Sequence, residues 1–267
     1  MGSMLKLTSY SAAIFDMDGV LYRGKQRLDG VAELLAFLAE RGVTYACATN
    51  NSTLTPEQYE AKLAEMGIVM PATRVITSSV ATRRYLEHHA PRGTTVGYIG
   101  MEGLHTALFN DGYFVNDQVA PACYVVGMNF KASYDDFRVA CKAIRAGAVF
   151  IGTNADATFP AEDGIVPGAG SLLALLQTAT DVAPTVIGKP APAMFEAAVE
   201  LLGAAPLQTL TIGDRLDTDI LGAQRAGLAT ALVLTGVTTP ALLATSALQP
   251  DAVFADLPAL LAAWRLG

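Results

Sequence analysis

The chain has 267 residues, 52% of them hydrophobic, with a formal net charge of −7 and a pI near 4.9. This length suffices for one large core, or for a core domain with a smaller second domain. The acidic balance excludes a partner that is mainly phosphate backbone, because nucleic-acid binding normally needs a basic face. No apolar run reaches the length of about 18 residues that a membrane span needs, so we expect neither a nucleic-acid nor a membrane partner.

The cysteines indicate a reducing compartment. The chain has three of them, Cys47, Cys123 and Cys141, and no CxxC spacing. Such an odd, sparse set is typical of reduced thiols. The N-terminal stretch MGSMLKLTSYS also lacks the apolar core of a signal peptide. We therefore expect a cytoplasmic protein.

Strand-like and helix-like segments alternate along the chain. The predicted elements are the strand AAIFD, the helix GVAELLAFLAERG, the strand VTYACATN, the helix TPEQYEAKLAEMG, the strand RVITSS, the helix VATRRYLEHH and, nearer the C-terminus, the strand TLTIGD, the helix DTDILGAQRAG, the strands TALVLTG and AVFA, and the helix LPALLAAW. Strands this apolar are buried on both faces. The predicted fold class is therefore α/β, with a doubly wound parallel sheet flanked by helices.

The middle of the chain holds a second alternation of strands and helices. It runs from about Thr94 to Thr180 through TTVGYIG, GLHTALFND, ACYVVGM, SYDDFRVACKAIRAG, AVFIGTN and GSLLALLQTAT. Because it separates polar stretches that are typical of active-site loops, we interpret it as an inserted α/β domain. The predicted division is a discontinuous core domain over residues 1–92 and 182–267, with the inserted domain over residues 93–181.

Polar side chains collect where the predicted core strands end. The clusters are Asp16 and Asp18 after the first strand, Thr49-Asn50-Asn51-Ser52 after the second, Lys189 in TVIGKPAP, and Asp214, Asp217 and Asp219 in TIGDRLDTD. In parallel sheets, ligands bind beyond the carboxyl ends of the strands. We therefore expect the four clusters to converge on one crevice.

This combination of side chains suits Mg²⁺ and a phosphate group. Hard oxygen ligands select Mg²⁺, and the cation would offset the repulsion among the carboxylates. A carboxylate beside Mg²⁺ can attack phosphorus and form an aspartyl-phosphate. Lys189 and the hydroxyl of Thr49 would bind the equatorial oxygens, and Asp18 would protonate the leaving oxygen and later activate water.

Four stretches of the chain resemble a known family. DMDGVLYRG, ATNNS, IGKPAPAMF and IGDRLDTDILGAQRAG resemble, in this order, the four motifs of the haloacid dehalogenase-like (HAD) phosphatases. The resemblance is closest to the branch of NagD-type sugar-phosphate, 4-nitrophenyl-phosphate and pyridoxal phosphatases, and it covers nearly the whole chain. That branch carries an α/β cap domain between its second and third motifs, where the insertion lies. A lone DxDG would be typical of an ordinary turn, but the four motifs together are specific.

The resemblance implies a Mg²⁺-dependent phosphatase for small phosphate monoesters, such as a sugar phosphate, a nucleotide or an aryl phosphate. Caps of this size often mediate dimers in the branch, which allows a homodimer through the cap. By this resemblance Asp16 would be the nucleophile and Asp18 the general acid and base. The Mg²⁺ ligands would be Asp16, the backbone carbonyl of Asp18, and Asp214, while Asp219 would either hold a metal-bound water or orient Lys189. The phosphoryl-binding groups would be Thr49, Asn50 and Lys189, and the residues that line the site would be Asn51, Arg215, Leu216, Asp217 and Thr218.

One loop of the insertion is a candidate for substrate selection. The stretch GTNADATFP, residues 152–160, follows a predicted strand and carries Asn154 and Asp156 at its polar tip. An ordinary Asx turn would explain both residues. The resemblance instead implies a cap loop near the substrate. We therefore expect Asn154 and Asp156 to contact the substrate, while the chemistry stays with the core.

Two alternative functions stay open. A phosphomutase or phosphotransferase of the same superfamily would also use Asp18, but those enzymes usually carry a smaller helical cap after the first motif. Only about 25 residues separate Asp18 from the next predicted strand, which leaves no room for such a cap. A non-catalytic regulator that binds phosphate ligands would not need Asp16, Asp18, Lys189 and Asp214 all intact.

Overall fold

The structure is a computed structural model that describes residues 5–161 and 164–267. The described chain divides into two compact units. Unit 1 comprises the residues up to Thr49, Glu57–Ile76 and Lys189–Gly267, and unit 2 comprises Asn50–Pro56 and Thr77–Gly188. The predicted core domain includes residues 50–56, 77–92 and 182–188, which lie in unit 2 here. The sequence could not show that difference, because it depends on tertiary packing.

The helices and strands alternate for most of the chain. The strands are β1 (Ala12–Phe15), β2 (Tyr22–Arg23), β3 (Gln26–Arg27), β4 (Thr44–Thr49), β5 (Val75–Thr77), β6 (Thr95–Ile99), β7 (Val115–Asn116), β8 (Cys123–Val126), β9 (Val149–Gly152), β10 (Thr158–Ala161), β11 (Gly164–Pro167), β12 (Thr185–Val186), β13 (Thr209–Gly213), β14 (Ala229–Val233) and β15 (Ala252–Phe254). The helices are α1 (Val31–Glu40), α2 (Pro56–Glu65), α3 (Ser78–His89), α4 (Glu102–Phe109), α5 (Tyr134–Arg145), α6 (Ala169–Thr180), α7 (Pro192–Leu202), α8 (Leu221–Arg225), α9 (Pro240–Thr245) and α10 (Leu257–Leu266).

The larger sheet has six strands in the order β15-β14-β13-β1-β4-β5. Its central strand β1 pairs in parallel with both neighbours, so that Ala12 lies opposite Thr209 on one side and Thr44 on the other. All four residues of β1 are buried, as expected for a strand with both faces covered. The predicted α/β class with a parallel, helix-flanked sheet is confirmed. The parallel arrangement brings the carboxyl ends of β1, β4 and β13 to one edge of the sheet.

Unit 2 has a hydrophobic core of its own. Its five-stranded sheet has the order β12-β9-β8-β6-β7, and each neighbouring pair is parallel. Tyr124 and Phe150 of this sheet pack with Ile144 of α5 and Leu173 of α6. Helix α5 begins with a capping box, in which Ser133 and Asp136 satisfy each other's backbone N–H groups.

The predicted helix DTDILGAQRAG begins in an unusual way. Leu216–Ile220 forms a π-helical turn, and α8 follows directly. Within this turn, Asp219 Oδ2 accepts the backbone N–H groups of Asp214 and Arg215 at 3.2 and 3.1 Å. These bonds turn the side chain of Asp219 back toward the end of β13. Single π turns are frequent at functional sites.

The predicted elements omit two short hairpins, the short strands β7 and β12, and the helices α7 and α9. Tyr22 of β2 lies opposite Arg27 of β3, and Thr158 of β10 lies opposite Pro167 of β11. The second hairpin includes the end of the stretch GTNADATFP. Strands of two to four residues are too short to show the alternation by which strands are recognised. Over the described ranges, no helix has the length and apolar character needed to cross a bilayer.

Candidate active site

Four predicted site residues of unit 1 meet at the carboxyl ends of β1 and β13. One carboxylate oxygen from each of Asp16, Asp214 and Asp219 lies within 4.8 Å of the other two. Lys189 Nζ donates to Asp16 Oδ1 and to Asp219 Oδ1, the latter at 2.7 Å. The same ammonium donates to the carbonyl oxygen of Ala48 in β4 at 3.3 Å. The three donors of Lys189 thus tie together groups from three regions of the chain.

The charges of this cluster are largely removed from water. The side chains of Lys189 and Asp219 are 5% and 1% exposed, and that of Asp16 is 14% exposed. A buried charge is tolerated only when it is paired and hydrogen-bonded. Burial alone lowers the pKa of Lys189, but the negative charges of Asp16 and Asp219 outweigh burial and raise that pKa above its ordinary value. Lys189 therefore stays protonated.

The carboxylates in this cluster outnumber the lysine. The pKa of Asp16 is raised to about 7, and burial is the largest cause. The charges of Asp219 and Asp214 raise this pKa further, whereas the charge of Lys189 lowers it. Burial and the charge of Asp219 likewise raise the pKa of Asp214 to about 6. The hydrogen bond from the N–H of Val237 and the charge of Lys189 lower that pKa but do not outweigh the increase. Full ionisation of the three acids is thus costly without a further cation.

Asp214 carries the observation that points to a metal. Its Oδ2 accepts the backbone N–H of Val237 at 2.6 Å. Its Oδ1 is buried and accepts no hydrogen bond within the described ranges. Gly19, at φ +88°, lets the loop after β1 approach, because a Cβ there would lie 2.7 Å from Asp214 Oδ2. An unsatisfied buried oxygen near two other carboxylates is a donor set that fits a hard cation such as Mg²⁺.

Asp18 stands apart from the buried cluster and is exposed. Its loop is fixed by backbone contacts, since Asp18 forms a bridge with Tyr22 and the N–H of Gly19 donates to the carbonyl of Tyr22 at 2.7 Å. The hydroxyl of Thr235 donates to the carbonyl of Gly19 at 2.6 Å. A fixed loop with a solvent-accessible carboxyl group suits proton exchange with substrate and water.

Two other predicted groups of unit 1 differ in their surroundings. Thr49, at the end of β4, is half-buried, and its side chain is hydrogen-bonded to that of Tyr59. Arg215 donates from Nε and from a terminal nitrogen to the two oxygens of Asp217, at 3.1 and 2.9 Å. This pair is 44% and 69% exposed, and its hydrogen bonds lower the pKa of Asp217. Thr218, which follows, is half-buried.

The predicted residues of unit 2 form a separate hydrogen-bonded group. Asn154 Nδ2 donates to the carbonyl of Asn50 at 2.7 Å, and Asn50 Nδ2 donates to Asp156 Oδ1 at 3.1 Å. Asn154 Oδ1 accepts the N–H of Asp156 at 3.1 Å. The Asx turn, which was one of the two interpretations of this loop, is therefore present. The side chains of Asn154 and Asp156 also hydrogen-bond to Asn50. Asn51 Oδ1 accepts from the N–H and the hydroxyl of Thr53, at 2.8 and 2.9 Å, and so stabilises its own turn.

Two parts of the site were not predicted from the sequence, the loop after β14 and Tyr59. The N–H of Val237 and the hydroxyl of Thr235 hold Asp214 and Gly19, respectively. The position of this loop at the carboxyl end of the strand TALVLTG was a usable signal. Tyr59 gave none, because a tyrosine on the inner face of an amphipathic helix is typical of any core.

Asp214→Asn should raise the free energy of unfolding in excess EDTA at pH 8, by roughly 1–3 kcal/mol. Asp16 and Asp214 have raised pKa values, about 7 and about 6, against 3.8 in an unfolded chain. The folded state therefore binds more protons than the unfolded state between about pH 4 and pH 7, and the metal-free protein loses stability as pH rises through that window. Urea unfolding at pH 4.5 and pH 8 measures both effects.

Saturating Mg²⁺ should reverse the order of the two proteins at pH 8, because the wild type binds the cation and the variant has lost a ligand. Asp29→Asn, the same change at an exposed residue, is the control and should follow the wild type. An Asp214→Asn protein that is less stable than the wild type in EDTA at pH 8 would contradict this account of the cluster.

Comparison with known proteins locates relatives over nearly the whole chain. A family model described as haloacid dehalogenase-like hydrolase matches residues 13–114, and one described as HAD-hydrolase-like matches residues 186–260. The acid sugar phosphatase of Staphylococcus saprophyticus is 35% identical over 251 residues, covering 94% of this chain and 96% of the relative.

Two solved structures share the fold. The 4-nitrophenylphosphatase of Thermotoga maritima has a TM-score of 0.90 and 32% identity, and the match covers 97% of this chain and 98% of that one. The glycerol phosphate phosphatase of Mycobacterium tuberculosis, in complex with magnesium, has a TM-score of 0.88 and 32% identity over 97% of this chain and 79% of that one.

Proposed function

Because the chain belongs to the haloacid dehalogenase-like hydrolases and is a phosphatase, we propose that it hydrolyses small-molecule phosphate monoesters with Mg²⁺ through an aspartyl-phosphate on Asp16. The observation that carries this proposal is the placement of Lys189 between Asp16 and Asp219, with Asp214 beside them. Phosphoryl transfer to a protein side chain requires a nucleophile, here a carboxylate, and positive charge near the phosphoryl oxygens. The fixed ammonium supplies one such charge, and the unsatisfied carboxylate oxygen is free to bind a metal ion that supplies another.

In the first step, a carboxylate oxygen of Asp16 attacks phosphorus while the bond from phosphorus to the ester oxygen breaks. Lys189 holds the Asp16 carboxylate in one orientation and favours its ionised form. Thr49 and Lys189, whose longest bond at 3.3 Å to the Ala48 carbonyl is the one to be exchanged, would bind the equatorial phosphoryl oxygens, where negative charge spreads in the transition state. Asp18, in its acid form, gives its proton to the leaving alcohol oxygen.

In the second step, water attacks phosphorus of the aspartyl-phosphate and gives a proton to Asp18. The bond between phosphorus and the Asp16 oxygen breaks, inorganic phosphate leaves, and both carboxyl groups return to their starting states. The exposure of Asp18 supports this role, because the attacking water can reach the group from solvent. Hydrolysis rather than accumulation of the intermediate follows from the presence of this base.

Mg²⁺ would be held by Asp16, Asp214 and the backbone carbonyl of Asp18, and it would neutralise charge that develops on the transferred phosphoryl group. The unsatisfied Oδ1 of Asp214 supports its assignment as a ligand. Asp219 uses both oxygens for protein donors, Lys189 on one side and the N–H groups of Asp214 and Arg215 on the other. We therefore assign Asp219 chiefly to the orientation of Lys189, and it would contribute to a bound Mg²⁺ only through water.

The substrate class follows from the relatives, whose names include sugar phosphate, 4-nitrophenyl phosphate and glycerol phosphate. We expect the protein to release phosphate from 4-nitrophenyl phosphate and from sugar, nucleotide or polyol phosphates in the presence of Mg²⁺. A malachite-green assay over such a panel tests the proposal. Absence of phosphate release from every ester would reject it.

The same assay separates the alternatives. A phosphomutase or phosphotransferase would deliver the phosphoryl group to a second hydroxyl, so an isomeric or transferred phosphate ester would accumulate instead of inorganic phosphate. A non-catalytic regulator would bind phosphate esters and return them unchanged. Chromatography of the reaction products alongside the phosphate assay distinguishes these outcomes.

Asp156→Ala should change the ranking of kcat/KM among natural phosphate esters, because a polar group that hydrogen-bonds a leaving group discriminates strongly when its partner is missing. A small aryl phosphate offers few such partners and should be affected much less. Asn154→Ala should act more evenly on all substrates, since Asn154 is buried and holds the carbonyl of Asn50. Steady-state kinetics on sugar, nucleotide and aryl phosphates measure this difference.

Asn129→Ala serves as the control, because Asn129 lies in the same unit and also holds a backbone carbonyl, that of Gly100, at 3.1 Å. We expect it to leave the substrate ranking intact. Equal losses on every substrate for Asp156→Ala would assign that residue to stability alone.

The homodimer through the cap stays a prediction. Unit 2 exposes large apolar side chains at two places, Phe130 at 51% and Tyr134 at 84% just before and at the start of α5, and Ile165 at 79% on β11. If they lie in a dimer interface, Ile165→Asp should shift the protein toward the monomer, because a charge buried in an interface is costly. Sedimentation velocity at micromolar concentrations measures the shift, and a monomeric wild type would reject the dimer.

A further inference from the structure

The loop after β14 joins two parts of the candidate active site within unit 1. Thr235 lies in this loop, and its hydroxyl donates to the carbonyl of Gly19 at 2.6 Å. Two residues further on, the N–H of Val237 donates to Asp214 Oδ2 at 2.6 Å. The N–H of Thr238 donates to the backbone carbonyl of Asp214 at 3.1 Å. One short segment thus holds both the loop after β1 and the residue that follows β13.

The backbones of these two loops come unusually close to the carboxylate of Asp214. A Cβ on Gly236 would lie 1.9 Å from Asp214 Oδ2, and a Cβ on Gly19 would lie 2.7 Å from the same oxygen. The close approach therefore depends on glycine at both positions. It holds Asp214 in one orientation, in which Oδ1 accepts no hydrogen bond from the described part of the chain.

Arg23 holds the backbone of the same loop. Its guanidinium donates to the carbonyl of Thr235. Arg23 belongs to β2, and its neighbour in that strand, Tyr22, accepts the N–H of Gly19 at 2.7 Å. Gly19, β2 and Thr235 therefore form a closed set of contacts. Thr235 is fixed in this set through its side chain and through its backbone.

We propose that Thr235 is a positioning residue for the Mg²⁺ site, because it fixes the backbone carbonyl of Asp18 relative to the carboxylate of Asp214. Arg23 keeps Thr235 in place. This inference rests on the proposed function, since it takes both of the fixed groups as Mg²⁺ ligands. The hydroxyl of Thr235 binds Gly19, the residue that follows Asp18, so its effect on the metal passes through the backbone.

A backbone ligand depends on its loop more than a side-chain ligand does. A carboxylate can adapt by rotation of its own side chain, whereas a carbonyl moves only with the chain around it. Mg²⁺ demands near-ideal octahedral geometry and so tolerates little displacement of a ligand. The hydroxyl of Thr235 has one proton to donate, and the Gly19 carbonyl accepts it. Without that donor, Gly19 has no side chain that would restrict its rotation, and the neighbouring carbonyl of Asp18 can move.

The test compares Thr235→Val, which removes the hydroxyl and keeps the shape of the side chain, with Thr235→Ser, which keeps the hydroxyl. Isothermal titration calorimetry without substrate gives the Kd of Mg²⁺, and hydrolysis of 4-nitrophenyl phosphate gives the Mg²⁺ concentration for half-maximal rate. Thr235→Val should raise both values about tenfold, as is common when a group that orients a metal ligand is lost. Thr235→Ser should stay within about twofold of the wild type, because it retains the donor.

Thr209→Val is the matched control. Thr209 begins β13, the strand that ends directly before Asp214, and it is fully buried. Its hydroxyl donates to the carbonyl of Ala205 at 2.9 Å, so the variant loses the same kind of bond from the same unit. We expect it to unfold at a lower temperature in EDTA but to bind Mg²⁺ within about twofold of the wild type. A loss of Mg²⁺ binding as large as that of Thr235→Val would show that general destabilisation is the cause, and would overturn the proposal.

Arg23 provides a second variant at an exposed position, which keeps the test open if Thr235→Val folds poorly. Arg23→Met should weaken Mg²⁺ binding about threefold, a smaller loss because the hydroxyl bond of Thr235 remains. In the Thr235→Val background the same change should add less than about twofold, because both changes loosen one loop.

Arg27→Met is the control for Arg23→Met. Arg27 is exposed, lies on β3 of the same hairpin and donates to the carbonyl of Gly67 at 2.8 Å. The control removes the same charge and the same kind of bond, and it should not weaken Mg²⁺ binding. If the two arginine variants bound Mg²⁺ equally well, Arg23 would not hold the loop in place and that part of the proposal would be wrong.

The outcomes separate this inference from the proposed function. A Thr235→Val protein that binds Mg²⁺ as tightly as the wild type, or a Thr235→Ser protein that binds it as weakly as Thr235→Val, would overturn the positioning role while leaving a phosphatase. A wild type that binds Mg²⁺ but hydrolyses no ester would reject the proposed function, and calorimetry would still decide the role of Thr235. A wild type that does not bind Mg²⁺ would overturn both.

Discussion

Asp16→Asn should lower kcat for 4-nitrophenyl phosphate by about four to six orders of magnitude, the range seen when a covalent nucleophile is removed from an enzyme. The amide matches the carboxylate in size but cannot attack phosphorus. The fold should persist, because Lys189 keeps its bond to Asp219 and because ionised Asp16 is itself disfavoured by burial. Phosphate-release kinetics, with thermal unfolding as a check on the fold, measure both expectations.

Asp29→Asn is the control for that experiment, since it makes the same change at an exposed residue of unit 1. It should match the wild type in kcat. Mass spectrometry of acid-quenched wild-type enzyme should further find a phosphoryl group on the peptide that contains Asp16, and none in the Asp16→Asn protein. If Asp16→Asn kept a rate within tenfold of the wild type, the aspartyl-phosphate mechanism would be wrong.

Removal of divalent metal should abolish activity, and Mg²⁺ should restore it. Three carboxylates with one lysine leave excess negative charge where we propose that the phosphoryl group binds. A dianionic ester would be repelled from that position unless a cation offset the charge. Ca²⁺ should support little activity, because it takes more ligands at longer distances and would misplace the phosphorus relative to Asp16.

The measurement is activity after dialysis against EDTA and after titration with Mg²⁺ or Ca²⁺. Calorimetry of Mg²⁺ binding to the wild type and to Asp214→Asn adds a readout that does not depend on turnover. We expect binding to the wild type and at least a tenfold weaker Kd for the variant, as is common on loss of a metal-site group. Full activity in excess EDTA would remove the metal from the mechanism.

The parallel sheet and the convergence of its strand ends could be predicted from the sequence because each rests on a local signal. The apolar run before Asp16 shows that β1 is buried on both faces, and parallel strands carry their polar ends to one edge. Lys189 and Asp214 were predictable for the same reason, since each follows an apolar run. Their mutual geometry needed the structure.

Other contributions to the site had no local signal. Tyr59 lies on a helix whose pattern resembles an ordinary amphipathic one, and only the tertiary packing brings it to Thr49. The π-helical turn at Leu216–Ile220 could not be foreseen either. It depends on the side chain of Asp219 competing for backbone N–H groups, which helical periodicity does not register.

Because unit 1 is built from separate segments of the chain, the two units are expected to fold in a definite order during synthesis on the ribosome. The strand β1 pairs with β13, so Ala12 cannot reach its pairing partner until Thr209 has been synthesised. The ion pair of Asp16 and Lys189 likewise joins positions 173 residues apart. Contacts of such long range are slow to form because the loop entropy must be lost first. Residues 77–188 are contiguous and have their own core, so they can fold while the chain is still being synthesised. We therefore expect the nascent chain to lack activity until Lys189 and β13 have been synthesised, because the surroundings of Asp16 form only when unit 1 folds.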